Sequence, residues 1–148
     1  MKQFLDTSVL VATFYGDHEH HEASFALFLR QKKQSGFTAA HCLAEVYSVL
    51  TGMPGKDKAS PEEALLFLSD VRNRLTLVSL DPAEYYATLE DAAANAISGG
   101  AIYDALLARC ALKAKADAIY TWNIRHFSRF GREIARRVKT PAHPRPLP

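Results

Sequence analysis

Hydrophobic and polar positions along the chain follow two periods, which divide it into strands and helices. Short apolar runs of strand length occupy residues 2–6, 36–39, 75–80 and 116–121. Longer segments of helical period separate them. In one of these, residues 40–52, a buried stripe is predicted at Leu43, Val46, Tyr47 and Leu50. Strands that alternate with helices indicate a short parallel sheet covered by helices on both faces, so we predict a three-layer α/β domain.

Local signals place several helix ends. The segments SPEE at 60–63 and DPAE at 81–84 each combine a cap residue, a proline at the first helical position and a glutamate that returns to the cap. Both predict a helix start. Asp17 is predicted to cap another helix, which ends before Gly36.

Length and composition favour a single compact domain. The chain has 148 residues, of which 48% are hydrophobic and 23% charged, as is usual for a globular protein. No apolar run approaches the ~20 residues of a membrane span, and Asp6 interrupts what would be a signal-peptide core. We therefore expect a cytoplasmic protein without membrane association. Residues 1–140 are predicted to form the domain, and the proline-rich residues 141–148 an extended tail.

Cysteine content and charge distribution narrow the function further. Cys42 and Cys110 are too few for a disulfide scaffold or a thiolate zinc site, so we expect both to be buried as small apolar residues. Residues 125–148 contain seven Lys and Arg against one acid, whereas residues 1–124 contain 11 against 15. This asymmetry suits an acidic pocket beside a basic strip that attracts phosphate, although a basic end is often only solvated.

Four oxygen-bearing side chains are candidates for chemistry. Asp6 ends the first predicted strand and Asn123 follows the last, while Glu45 and Asp104 lie on helices that can line the same end of the sheet. Ligands of open α/β sheets bind at this end. Clustered carboxylates suit Mg2+ or Mn2+, which prefer oxygen ligands. Taken singly, Asp6 is equally explained as a helix cap, and Glu45 or Asp104 as a solvated helix acid.

Four motifs in this order, FLDTSVL, AAHCLAEVYSVL, AIYDALLARCAL and the TWNIRHF segment, resemble the PIN domain over nearly the whole chain. Within that family the sequence is similar to the VapC-type toxin ribonucleases of bacterial toxin–antitoxin pairs. The resemblance implies a PIN fold and hydrolysis of RNA by a metal-activated water. It also implies Mg2+ as cofactor, with Mn2+ as a substitute, a VapB-type antitoxin as partner, and a homodimer.

The same resemblance assigns the site residues. Asp6, Glu45 and Asp104 match three acidic positions of the family and are expected to be catalytic metal ligands. The fourth position, often Asp, is Asn123 here, so a second ion is expected to be held less firmly.

Residues beside these four have two interpretations each. The Thr7 hydroxyl either caps the following helix or hydrogen-bonds a ligating carboxylate or a metal-bound water, and Thr121 either orients the loop or a water or serves the turn alone. Arg125, His126 and Arg129 either contact the RNA backbone at the edge of the pocket or form a solvated basic face.

Two further groups of ionisable residues are not favoured as metal ligands. His18, His21 and Glu22 are predicted to share one helix face, which suggests a transition-metal site, but the sequence shows no third fixed ligand and a surface helix is favoured. Asp117 opens the last strand, ~20 Å from Asn123 at strand rise, and is excluded as a ligand.

Aromatic residues near the motifs offer a less specific signal. Tyr47, Tyr103 and Trp122 have rings that can stack on bases, but burial is predicted at these spacings.

Three other functions compete with a toxin. An RNA-processing nuclease without an antitoxin would use the same site. A phosphotransfer domain would use Asp6 as nucleophile, but Ser8 stands where a second acid is expected. A catalytically silent RNA-binding module is favoured only by Asn123.

Overall fold

The computed structural model describes residues 1–144, which form five β-strands and eight α-helices. The strands are β1 (Gln3–Leu5), β2 (Gly36–Ala39), β3 (Thr76–Val78), β4 (Ala118–Tyr120) and β5 (Val138–Lys139). The helices are α1 (Thr7–Phe14), α2 (His21–Leu29), α3 (Ala40–Gly52), α4 (Pro61–Arg74), α5 (Pro82–Ala94), α6 (Ala101–Lys113), α7 (Ile124–Ser128) and α8 (Arg132–Ala135), with a 3₁₀ turn at Gly55–Asp57.

All neighbouring strands of the sheet are parallel, in the order β3-β2-β1-β4-β5. The chain builds β2 and β3 on one side of β1 and then crosses to place β4 and β5 on the other side. The strand order therefore reverses between β1 and β4, which is where open α/β sheets bind ligands. The predicted three-layer α/β architecture is confirmed.

The core lies on both faces of the central strand. Phe4 and Leu5 are fully buried although their side chains point to opposite faces of β1. Helix α1 packs on α2 and on α3, and α3 packs on α4. Helix α6 packs on α5, α7 and the sheet. A strand buried on both faces is typical of parallel sheets under two helical layers.

Both predicted capping boxes are present. Ser60 Oγ accepts a hydrogen bond from the Glu63 amide at 3.1 Å, and Glu63 Oε1 accepts one from the Ser60 amide at 3.1 Å. Asp81 and Glu84 make the equivalent pair at 2.8 and 2.9 Å. Each box satisfies two backbone donors that the helix itself leaves unpaired.

The predicted cap at Asp17 is wrong. The chain makes two successive turns before α2, with the His18 amide bonded to the Tyr15 carbonyl and the His21 amide to the His18 carbonyl. Helix α2 begins only at His21, so His18 lies outside it and does not share a helix face with His21 and Glu22. The helix face predicted to be shared by His18, His21 and Glu22 is therefore also wrong.

Helix α3 buries a stripe that contains two of the four predicted residues, Val46 and Leu50. Cys42, Val46 and Leu50 are fully buried, whereas Leu43 is half-buried and Tyr47 is 39% exposed. The helix is rotated so that Cys42 takes a core position. Burial raises the pKa of the Cys42 thiol to about 12, which keeps it protonated and unreactive.

Cys110 is also buried and forms no disulfide, and burial raises the pKa of its thiol to about 11. Both cysteines are small buried residues, as predicted.

The C-terminal part contains two elements that the sequence pattern does not predict. Helix α8 and the two-residue strand β5 follow α7, and β5 pairs with β4 at the sheet edge. Residues 141–144 have no regular secondary structure, and the rest of the predicted tail, residues 145–148, lies outside the described residues. Among residues 1–144, no helix has the length and apolar content to cross a membrane.

Candidate active site

One cavity of about 480 Å³ contains all four predicted site residues. Asp6 follows β1 and Asn123 follows the turn after β4, so both lie at the strand-order reversal. Helices α3 and α6 contribute Glu45 and Asp104 to the same cavity. The fold therefore brings together groups that are up to 117 positions apart in the sequence.

Asp6 is both a helix cap and a site residue. Its Oδ1 accepts hydrogen bonds from the Val9 amide at 3.3 Å and the Ser8 hydroxyl at 2.6 Å, and its Oδ2 accepts one from the Thr121 hydroxyl at 2.7 Å. Only 2% of the residue is exposed. Burial raises the pKa of Asp6 to about 6, although these hydrogen bonds act in the opposite direction.

Ser8 is a site residue that the sequence pattern alone does not predict. Its hydroxyl donates to Asp6 and accepts from the Trp122 amide at 2.9 Å. The Thr121 hydroxyl similarly accepts from the Asn123 amide at 2.9 Å while it donates to Asp6. Ser8 and Thr121 thus fasten the end of β1 to the end of β4. The sequence signal that could identify Ser8 is a hydroxyl side chain two positions after an acid that ends a strand.

Glu45 is half-buried on α3. The Thr7 hydroxyl donates to Glu45 Oε1 at 3.3 Å, and His41 Nε2 lies 3.8 Å from the same oxygen. Burial raises the pKa of Glu45, His41 and Thr7 lower it, and repulsion by Asp104 raises it. Thr7 therefore contacts a candidate ligand, which is one of its two predicted roles.

Asp104, in the first turn of α6, is also half-buried. Burial raises its pKa, and the nearby positive charge of His126 and Arg129 lowers it. His126 Nδ1 lies 3.6 Å from Asp104 Oδ2. One of the three predicted RNA-contacting residues therefore lies against a candidate metal ligand.

The donor chemistry of the cavity fits a hard divalent cation. Three carboxylates line one cavity, and the most buried of them, Asp6, accepts hydrogen bonds from two hydroxyl groups and one backbone amide. The Asn123 side chain makes no capping hydrogen bond to α7, and Asn123 lines the cavity. Among residues 1–144, however, no three His, Cys, Asp or Glu side chains stand close enough to form a ready-made metal site. The donor types fit Mg2+ or Mn2+, and the ligand shell is not preformed.

A basic segment adjoins this acidic cavity. Arg125 and His126 lie on α7, directly after Asn123, and Arg129 ends that helix. All three side chains belong to exposed residues. The Arg129 guanidinium lies 5.4 Å from the Phe130 ring centroid.

Asp117 and the three aromatic residues near the motifs lie in different surroundings. Asp117 accepts a hydrogen bond from the Lys2 amide at 2.8 Å, at the amino end of the strands, and does not line the cavity. The predicted burial of the tyrosines is wrong, because Tyr47 is 39% and Tyr103 52% exposed. Trp122 is half-buried and lines the cavity.

Fold and site together define a class of protein. The PIN domain family model matches residues 4–133, and the chain belongs to this family.

Particular relatives are ribonucleases by name. The chain is 35% identical over 114 residues to Ribonuclease VapC40 of Mycobacterium tuberculosis, covering 77% of this chain and 81% of the relative. It is 32% identical over 113 residues to Ribonuclease VapC27 of the same species, covering 76% and 79%. The solved structure of VapBC2 from Rickettsia felis, bound to a DNA fragment from their promoter, matches with a TM-score of 0.64 at 17% identity, covering 95% of this chain and 98% of that one.

Proposed function

We propose that this protein is a divalent-metal-dependent endoribonuclease and the toxin of a type II toxin–antitoxin pair. The observation that carries the proposal is the convergence of Asp6, Glu45 and Asp104 on one cavity at the carboxyl ends of the central strands. Membership of the PIN domain family and the similarity to VapC ribonucleases support it.

Asp6, Glu45 and Asp104, with the Asn123 amide oxygen, would hold Mg2+. A bound ion would activate water and neutralise charge that develops on the attacked phosphodiester. The chain itself supplies orientation: Ser8 and Thr121 fix both oxygens of Asp6, and Thr7 fixes Glu45. Positioned hydrogen bonds of this kind hold ligands in place and reduce the reorganisation needed during the reaction.

Substrate binding is assigned to the basic segment on and after α7. Arg125 and Arg129 carry positive charge on and directly after α7, and His126 of the same helix lies against Asp104 at the edge of the acidic cavity. Phosphate contacts from such residues position a nucleic acid without reading its sequence. RNA is thereby held with one phosphodiester at the carboxylates. The protein acts in the cytoplasm, where cellular RNA is found.

The partner is a VapB-type antitoxin, and the toxin forms a homodimer. A groove of about 530 Å³ between α1, α2 and α4 is lined in part by Phe14, Phe25, Phe28 and Phe67. Such a groove suits the apolar face of a partner helix. The similarity in fold between this chain and the solved VapBC2 structure supports the proposal of an antitoxin partner.

A cleavage assay tests the proposed activity. The purified protein should cut single-stranded RNA internally when Mg2+ or Mn2+ is added, and EDTA should stop the reaction. Asp104→Asn should abolish cleavage because it removes a ligand charge. Asp117→Asn is the matched control, since Asp117 lies outside the cavity, and it should cleave like wild type. Equal cleavage by the Asp104→Asn variant and wild type would contradict the assignment.

Expression in the native host tests the toxin assignment. Wild type should arrest growth, Asp104→Asn should not, and co-expression of a small protein encoded next to this gene should restore growth. Normal growth with wild-type protein that is active in the purified assay would identify an RNA-processing nuclease instead.

A further inference from the structure

Two aromatic rings form one wall of the cavity. The His20 imidazole and the Trp122 indole lie parallel, with ring centroids 3.7 Å apart and an interplanar angle of 6°. Both residues line the cavity that contains the candidate metal ligands. His20 belongs to the turn before α2, and Trp122 to the turn after β4.

This His20–Trp122 pair is held by hydrogen bonds on both partners. The Trp122 indole N–H donates to the hydroxyl of Ser24, which is fully buried, at 2.8 Å, and the Trp122 amide donates to Ser8 at 2.9 Å. The His20 amide donates to His18 Nδ1 at 3.0 Å. Because Ser8 also holds Asp6, the position of the pair is fixed relative to the carboxylates.

His20 contributes exposed ring surface to the pair. One face of the imidazole packs on the indole, the His18 ring lies tilted by 44° with its centroid 5.7 Å away, and 32% of the His20 side chain is exposed. Glu19 Oε1 lies 3.4 Å from His20 Nε2, so the local charge is unfavourable for a phosphate. A planar, uncharged group fits this surface better, and the bases of RNA are such groups.

We propose that the His20–Trp122 pair is a binding subsite for a nucleobase adjacent to the cleaved phosphodiester. The inference rests on the proposed ribonuclease function and adds a substrate requirement to it. A base can reach the pair only when it is unpaired and turned out of its own stack, which is how proteins read single-stranded loops. The enzyme therefore selects RNA in which the nucleotide beside the cut is unpaired.

Steady-state cleavage of short single-stranded RNAs with one abasic nucleotide tests the subsite. Loss of the base at one position beside the cut should raise KM for wild type about tenfold, from the usual strength of base–aromatic stacking, with a smaller effect on kcat. His20→Ala should show the raised KM with intact RNA, and the abasic nucleotide should add nothing further. His20→Phe keeps a planar ring and should retain the penalty.

Tyr86→Ala is the matched control, because it removes an exposed aromatic ring on α5 that does not line the cavity. It should behave like wild type at every abasic position. A scan in which no position affects KM, or an abasic penalty that stays the same in His20→Ala, would overturn the subsite while leaving the nuclease assignment intact.

Intrinsic fluorescence gives a readout that does not depend on cleavage. Trp122 is the only tryptophan in the chain. Titration with oligouridylate in EDTA should change its emission, and an abasic sugar-phosphate oligomer of equal length should change it much less. Equal responses to both oligomers would contradict base stacking, even if the protein proved not to be a nuclease.

Discussion

Asp6→Asn should stabilise the metal-free protein at neutral pH while it destroys activity. Burial places the folded-state pKa of Asp6 at about 6, against 3.8 for the ordinary side chain. At 1.36 kcal/mol per pKa unit, ionised Asp6 reduces the free energy of unfolding by about 3 kcal/mol. Asn has the shape of the neutral acid. Its Oδ1 can accept from Ser8 and Val9, and its Nδ2 can donate to Thr121.

The sign of the pH dependence follows from the raised pKa. Between pH 4 and 6 the folded state binds more protons at Asp6 than the unfolded state does. Its contribution to the free energy of unfolding therefore falls as the pH rises through this window, and stays constant above it. At pH 4 wild type and Asp6→Asn should be nearly equal in stability. At pH 7.5 the variant should be more stable by up to about 3 kcal/mol.

Urea unfolding in EDTA at pH 4, 5, 6 and 7.5 measures this difference. Asp70→Asn is the control, because Asp70 is an exposed acid on α4, outside the cavity, and should show no comparable change. A variant that is no more stable than wild type at pH 7.5 would refute the reasoning. It would mean that the hydrogen bonds to Asp6 offset its burial fully.

Three other variants have expected outcomes. Asn123→Asp adds a fourth carboxylate, so calorimetric Mn2+ binding should tighten by about 1 to 3 kcal/mol, and equal affinities would place Asn123 outside the ligand set. Removing both Arg125 and Arg129 by alanine substitution should weaken binding to single-stranded RNA and lower the salt slope by about 1.4, at roughly 0.7 per phosphate contact; an unchanged slope would assign both to a solvated face. Ser60→Ala should cost about 1 kcal/mol in urea unfolding, because it removes the α4 cap, and an unchanged midpoint would show that the cap contributes nothing.

The parts of the fold that the sequence predicts correctly depend on local interactions. The capping boxes at Ser60 and Asp81 each use donors and acceptors within four residues, so their spacing is visible in the sequence. Asp17 carries a similar signal and fails, because the turn hydrogen bonds at His18 and His21 delay the helix. Strand β5 has two residues, too few for any periodicity, and forms only because β4 offers an open edge.

The residues of the candidate site also divide into those that the sequence predicts and those that it does not. Asp6 and Asn123 are predictable because they follow strands of a parallel sheet, where the carboxyl ends meet. Ser8 and His20 are not, since their roles depend on Trp122, more than 100 positions away, whose amide and ring they contact. The ready-made metal shell that clustered acids suggest is likewise absent from residues 1–144, because side-chain directions are set by packing that the sequence pattern does not contain.

The proposed function requires Asp6, Glu45 and Asp104 to act together in cutting RNA. Mapping of RNA 5′ ends in cells shortly after brief induction, with wild type and Asp104→Asn at equal protein levels, tests it most directly. Wild type should produce new 5′ ends at a small set of discrete sites, and Asp104→Asn should produce none of them. The same new ends with both proteins, or none with either, would contradict the proposed function.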